Sequence, residues 1–255
     1  MNIFSKDCLV GGSYLVTGAS SGIGRAAALL IAECGGKVIL GGRDESRLRD
    51  TYLSLKSGPA HVLSVRDLVD ADQTAEWVKE LVVSVGPITG VFHAAGVDLI
   101  RPTRMTKQAD LNTVFGASIF AAFGIARAVS QKNTLVDGGS VIFMSSVAGS
   151  TGQVGMTAYS ASKAAIDGMV RSLACEMAPK RVRVNSIAAA AVKTEMHERM
   201  AKGSTCEVQT AYEKMHLLGF GNPSDIACAV VFLLSEASKW ITGTNMIVDG
   251  GYMVR

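Results

Sequence analysis

Residues 13–34 constrain the chain more than any other stretch. Ser13-Tyr14-Leu15-Val16-Thr17 is short and β-prone; Gly18-Ala19-Ser20-Ser21-Gly22-Ile23-Gly24 follows, and a helical apolar pattern then continues through Cys34. A strand that feeds a helix through three glycines reads as the opening βα unit of an open sheet. The glycines let backbone approach a pyrophosphate, and the free N–H groups and dipole at the helix start attract the anion. Their spacing is G-x-x-x-G-x-G rather than the general G-x-G-x-x-G fingerprint, so a tight turn that only packs a helix on a sheet stays open as a reading.

The rest of the chain repeats the alternation of strand and helix. Residues 37–41, 61–65, 88–93, 140–144, 181–187 and 245–248 read as further strands, with helical patterns between them. Residues 107–131 carry apolar side chains at helical spacing and read as one long, largely buried helix. The predicted fold is α/β: a single Rossmann-type doubly wound domain over 1–255, its seven-stranded parallel sheet flanked by helices on both faces. With 48% hydrophobic and 18% charged residues and no Pro/Gly/Ser linker, 255 residues suit one sizeable core. Residues 188–218 contain Met196, Met200, Val208, Tyr212 and Met215, which fit either a substrate lid with an apolar inner face or a surface helix packed on the core.

A net charge of +3 from scattered Lys and Arg announces no nucleic-acid or membrane surface. The five cysteines lie far apart without a C-x-x-C pair, and buried free thiols in a reducing compartment are expected. The first seven residues lack an apolar signal core, and the longest apolar run, 226–234, is short for a bilayer. A soluble cytoplasmic protein is therefore expected, with no metal-ligand cluster.

Candidate chemistry lies at strand ends. Tyr159 and Lys163 are four positions apart and share one face of a predicted helix. An ammonium beside a phenol favours the phenolate, so the pair suits acid/base work near neutral pH. Ser145 and Ser146 end a strand at the edge where open sheets bind ligands. Gly42 and Arg43 end the second strand without a carboxylate, and Asp44 reads as the N-cap of the next helix. That pattern suits a ribose 2′-phosphate, although a solvated loop arginine remains an alternative. His93, ending an apolar strand, reads as a packed imidazole rather than a catalytic base.

Taken together, these residues resemble the short-chain dehydrogenase/reductase family over essentially the whole chain. The likeness rests on Thr17-Gly18-x-x-x-Gly22-x-Gly24, Asp67, Ala95-Gly96, Ser146, Tyr159-x-x-x-Lys163, Asn185 and Asp249-Gly250-Gly251, with Ser146 thirteen residues before Tyr159. The resemblance implies that Tyr159 protonates a carbonyl oxygen held by Ser146 as hydride leaves a nicotinamide. Lys163 would bind the nicotinamide ribose and lower the Tyr159 pKa. It also implies cofactor contacts from Gly18, Ser20, Ser21, Gly22, Ile23, Gly24, Arg43, Asp67, Leu68, Ala94, Ala95, Gly96, Val192 and Thr194. NADP(H) is preferred on this pattern, with NAD(H) possible.

Three departures qualify it. Ala94 replaces the family's asparagine before Ala95-Gly96, and with His93 is similar to the ketoreductase domains of polyketide synthases. Ser118 aligns with the asparagine that holds a proton-relay water in many members. Ala189-Ala190 replaces Pro-Gly after the sixth strand. The implied activity is NADPH-dependent reduction of a ketone or 3-oxoacyl carbonyl, on a small or acyl-carrier-linked substrate. The alternatives are an NAD-dependent alcohol or sugar dehydrogenase, or a non-catalytic dinucleotide sensor or scaffold. A homotetramer or homodimer is expected by resemblance, through the two long helices that contain Phe123 and Met169.

Overall fold

Parallel strands buried on both faces need near-continuous apolar runs, and this chain supplies them. Val38, Ile39 and Leu40 of β2 (Lys37–Gly42) and Val141, Ile142 and Phe143 of β5 (Leu135–Ser146) are completely buried. The computed structural model describes residues 4–55, 60–202 and 205–254. The remaining strands are β1 (Ser13–Thr17), β3 (Val62–Val65), β4 (Ile88–His93), β6 (Arg183–Ala189) and β7 (Asn245–Val248). All neighbours pair in parallel, in the order β3-β2-β1-β4-β5-β6-β7. Strand order reverses between β1 and β4, which opens a crevice at their carboxyl ends.

Two apolar layers cover the sheet. On one face, α3 (Ala71–Val85) contributes Trp77 and Val78, and α6 (Thr157–Met177) contributes Ile166 and Val170. On the other, α1 (Gly22–Glu33) packs Ala28 and Ile31 with Val230 and Val231 of α9 (Pro223–Leu234). Trp77 also shows how a polar tip is accommodated: its Nε1 donates to Ser64 Oγ at 2.8 Å. The ring lies so close to β2 that a Cβ on Gly41 would sit 2.8 Å from it. Asp44 caps α2 (Glu45–Ser54) as expected, accepting from the Arg47 backbone N–H.

Several boundaries and burials differ from the sequence expectation. The helix over 107–131 is not uniform: α4 (Gln108–Phe115) and α5 (Ala121–Val129) flank a π-helical turn at Gly116–Phe120. Periodicity alone cannot reveal that inserted residue, because the apolar face resumes after it. By length and composition Gln108–Val129 could cross a membrane, yet half of it is buried in the protein. β5 begins earlier than residue 140, and β6 runs on to Ala189, so Ala188 and Ala189 belong to the sheet rather than to the following loop. Of the five free cysteines only Cys34 is fully buried, while Cys175 and Cys206 are exposed.

Candidate active site

The carboxyl ends of β1, β2, β4, β5 and β6 open into one cavity of about 550 Å³. The cofactor-binding residues expected from sequence, from Gly18 through Arg43, Leu68 and Gly96 to Thr194, all line it, as do Ser146, Tyr159 and Lys163. Ser118 does not. It is 1% exposed within the π turn, and its Oγ has no partner among the described residues. A Cβ on Gly96 would lie 3.7 Å from Ser118 Oγ and 3.6 Å from Lys163 Nζ, so the serine sits close to the lysine tip without lining the cavity.

The glycine turn fits a dinucleotide. Gly18 and Gly22 have φ of +65° and +49°, a region that side chains strain to enter. A Cβ on Gly24 would stand 2.3 Å from the Gly18 carbonyl oxygen, so α1 begins in contact with the turn. The start of α1 has no side-chain cap and no acidic residue in its first turn. By contrast, α2, α3, α7 (Glu195–Ala201) and α8 (Cys206–Lys214) each spend a side-chain oxygen on their own first turn. Free N–H groups beside closely folded glycines are what a phosphate group requires.

β5 and α6 fix the polar centre. Lys163 Nζ donates to the Met144 carbonyl at 2.9 Å, and Ser145 Oγ donates to the Lys163 carbonyl at 3.3 Å, so the strand end grips the lysine at both its tip and its backbone. Ser146 Oγ accepts from Ala148 N–H at 3.2 Å and donates to the Ala189 carbonyl at 3.3 Å. Lys163 Nζ lies 5.6 Å from the centre of the Tyr159 ring. Burial lowers Lys163 to about 8, against the upward pull of Asp167. Asp167 is itself held by Ser186 and Asn245.

Tyr159 departs from expectation. The four-residue spacing predicts that Lys163 lowers its pKa, whereas burial raises it to about 12 and the Ser146 hydroxyl opposes that rise. Enclosure therefore sets the result, and the phenol stays protonated. His93 is a packed imidazole: 2% exposed, with Nδ1 2.8 Å from Thr17 Oγ1 and a ring edge toward Phe143. Burial, then the nearby Lys163 charge, lowers it to about 3. Asn185 lies wholly inside, its amide bonded to the Ile241 carbonyl and the Thr244 N–H, a structural role.

Four further cavity residues were not legible in the sequence. Arg47, Glu195, Gln153 and Phe220 line the cavity, and Arg47 forms an ion pair with Glu195 at 2.9 Å. His216 is buried and accepts from Ala191 N–H at 3.3 Å. With the Gly221 N–H donating to Ala191 O at 3.0 Å, it holds the loop that follows Ala189-Ala190. Only the N-cap position of Asp44, three residues before Arg47, could have pointed to any of these from sequence.

A doubly wound sheet, a glycine turn with an uncapped helix start, and a Ser-Tyr-Lys set in the same crevice define a dinucleotide-dependent oxidoreductase. Residues 18–253 match the family described as Enoyl-(Acyl carrier protein) reductase. The chain is 32% identical to the 3-oxoacyl-(acyl-carrier-protein) reductase of Thermotoga maritima, over 96% of this chain and 99% of that one. It is also 32% identical to carbonyl reductase family member 4 of Danio rerio, over 93% and 96% of the two chains. A Brucella melitensis structure described as short-chain dehydrogenase/reductase SDR:Glucose/ribitol dehydrogenase superposes with a TM-score of 0.88. The two are 28% identical, covering 97% of this chain and 98% of that one. The chain belongs to the short-chain dehydrogenase/reductase family and is an NAD(P)-dependent oxidoreductase.

Proposed function

We propose that this protein reduces a ketone of 3-oxoacyl type to the alcohol with NADPH, using Tyr159 as proton donor. The observation that carries the proposal is the meeting of Ser146, Tyr159 and Lys163 in the cavity that the glycine turn enters. The bound nicotinamide would supply the hydride. Ser146, on the fixed end of β5, orients the carbonyl oxygen. Tyr159, with its pKa raised to about 12, remains protonated and ready to donate. Lys163, anchored on the Met144 carbonyl, would hold the nicotinamide ribose. NADPH preference is supported by Arg43 at the end of β2, where the adjoining carboxylate, Asp44, is committed to its own helix.

The substrate end supports a ketone over a polyol. Ile100, Met156, Met200, Val208 and Phe220 make it largely apolar, and Gln153 already donates to Tyr252 Oη at 2.8 Å. A site that recognises several hydroxyls needs several unspent polar groups. Segment 188–218 acts as the substrate lid in this reading: Met196, Met200, Val208 and Tyr212 line the cavity, whereas Met215 does not. Positions 203 and 204 of that segment lie outside the described residues. Association through the Gln108–Val129 helix and α6 is part of the proposal. Phe120 and Phe123 are exposed there by 46% and 52%, while Met169 faces the core. Light scattering that gives a monomer would remove that part alone.

NADPH consumption followed at 340 nm against ketones and 3-oxoacyl thioesters tests the activity. Tyr159→Phe is expected to lower kcat/KM by about 10²–10⁴; equal rates for the two proteins would refute the mechanism.

A further inference from the structure

The cavity mouth is crossed by two ion pairs that share one short helix. Glu195, the first residue of α7, pairs with Arg47 of α2 at 2.9 Å. One helical turn later, Arg199 pairs with Asp98, beyond β4, at 3.6 Å. The two pairs have opposite polarity along α7. The first lies over the anion-binding turn: Arg47, Gly22, Thr194 and Glu195 all line the cavity, and a Cβ on Gly22 would be 3.9 Å from Glu195 Oε2.

That position creates a conflict. The uncapped start of α1 favours a negative group, and Arg47 adds to the attraction, but Glu195 places a carboxylate beside the same turn and neutralises Arg47. The pair is 44% and 50% exposed at its two side chains. An ion pair so exposed is weak enough for a more highly charged competitor to displace one partner. A phosphate group presents several strong acceptor oxygens and suits the planar guanidinium fork at least as well as a carboxylate does.

We propose that Glu195 is an internal competitor for Arg47, and that a phosphate group of the dinucleotide takes over the arginine when the cofactor binds. This rests on the nicotinamide-dinucleotide reading of the cavity. Cofactor entry then releases α7 from α2 while the Arg199–Asp98 pair still holds its other end. Glu195 thereby lowers cofactor affinity and ties the cover over residues 195–201 to the occupancy of the turn. The pyrophosphate and a ribose 2′-phosphate are the two sources of such a group.

Isothermal titration of NADPH and NADH into the whole protein tests the exchange without turnover. Four proteins are compared: wild type, Glu195→Gln, Arg47→Gln and the double variant. Glu195→Gln is expected to tighten NADPH about fivefold, close to 1 kcal/mol, near the upper end for an exposed pair. Arg47→Gln is expected to weaken NADPH about five- to tenfold, and in that background Glu195→Gln should change affinity less than about twofold. Losses on Arg47→Gln with both cofactors would assign the exchange to the pyrophosphate; a loss confined to NADPH would assign it to the 2′-phosphate. Unchanged or weakened binding on Glu195→Gln overturns the proposal, as does a fivefold gain that persists without Arg47. The absence of dinucleotide binding in every variant would instead defeat the cofactor reading and this proposal with it.

Discussion

The two walls of the active-site cavity are built on opposite principles. The sheet-side wall is backbone and buried side chain: the glycine turn pressed against α1, Lys163 gripped by the end of β5, His93 and Thr17 locked together between strands. The wall formed by residues 190–220 has no buried residue in either α7 or α8. It is attached by ion pairs at the surface, the Asp98 partner half-buried, by the bonds of His216 and Gly221 to the loop after β6, and by edge-to-face rings such as His197 on Phe220 at 4.7 Å. One wall therefore resists change and sets the chemistry. The other is held by interactions worth about 1 kcal/mol each and can adapt to what enters.

The largest effect should come from the grip on Lys163. Lys163→Met keeps most of the length of the side chain and removes its charge, leaving the Met144 carbonyl without its donor. A loss of about 10²–10⁴ in kcat/KM is expected, with a melting temperature near that of wild type because a buried ammonium below its ordinary pKa already costs the fold something. Retention of activity within tenfold would show that the sheet wall positions but does not participate.

Next is Gly24→Ala. Its Cβ would stand 2.3 Å from the Gly18 carbonyl, a contact that only a backbone shift can relieve. About 1–3 kcal/mol of stability should be lost in urea unfolding, together with dinucleotide affinity. Loss of neither would mean that the turn is as adaptable as the cover, and the contrast between the walls would fail.

The same contrast explains what the sequence made legible. The interior strands were readable because a parallel strand buried on both faces is largely apolar, the part-buried edge strands β3 and β7 by their place in the alternation, and the turn because glycine enters φ of +65°, as at Gly18, without strain. Tyr159 and Lys163 were readable because helix geometry places positions four apart on one face. Arg47 and Glu195 were not: they are 148 positions apart and meet only through the crossover of the chain. The π turn around Ser118 was hidden because the apolar periodicity survives it, and the raised pKa of Tyr159 because enclosure depends on residues from several elements.

A smaller effect separates the walls by pH. His93 is lowered from 6.5 to about 3 in the folded protein. Between those values the unfolded chain binds a proton that the folded chain refuses, so stability falls as pH drops from about 6.5 toward 3. His93→Asn offers Thr17 a partner that does not titrate in this range. Its unfolding free energy should fall less steeply over that window than the wild-type value, the difference isolating His93 from the carboxylates common to both proteins. Parallel curves would show that the imidazole reaches water.

The mildest change belongs to the cover. Phe220 lines the cavity and meets His197 and His216 edge to face and Tyr212 at a tilt, with centroid distances of 4.7, 5.1 and 5.6 Å. Phe220→Ala removes these contacts without exposing a strand, so the stability cost should stay at about 1–2 kcal/mol, below that of a buried phenylalanine. KM for an apolar ketone should rise about five- to tenfold, a loss on the scale of one or two buried methylenes. Cofactor affinity should move less than KM, because the glycine turn and the Lys163 grip lie on the other wall, although Val192, Thr194 and Glu195 of the cover also line the cavity. If NADPH binding weakened in step with KM, the two walls would be one cooperative unit, with the aromatic cluster of the cover transmitting the change through His216 and Ala191 to the loop that follows β6.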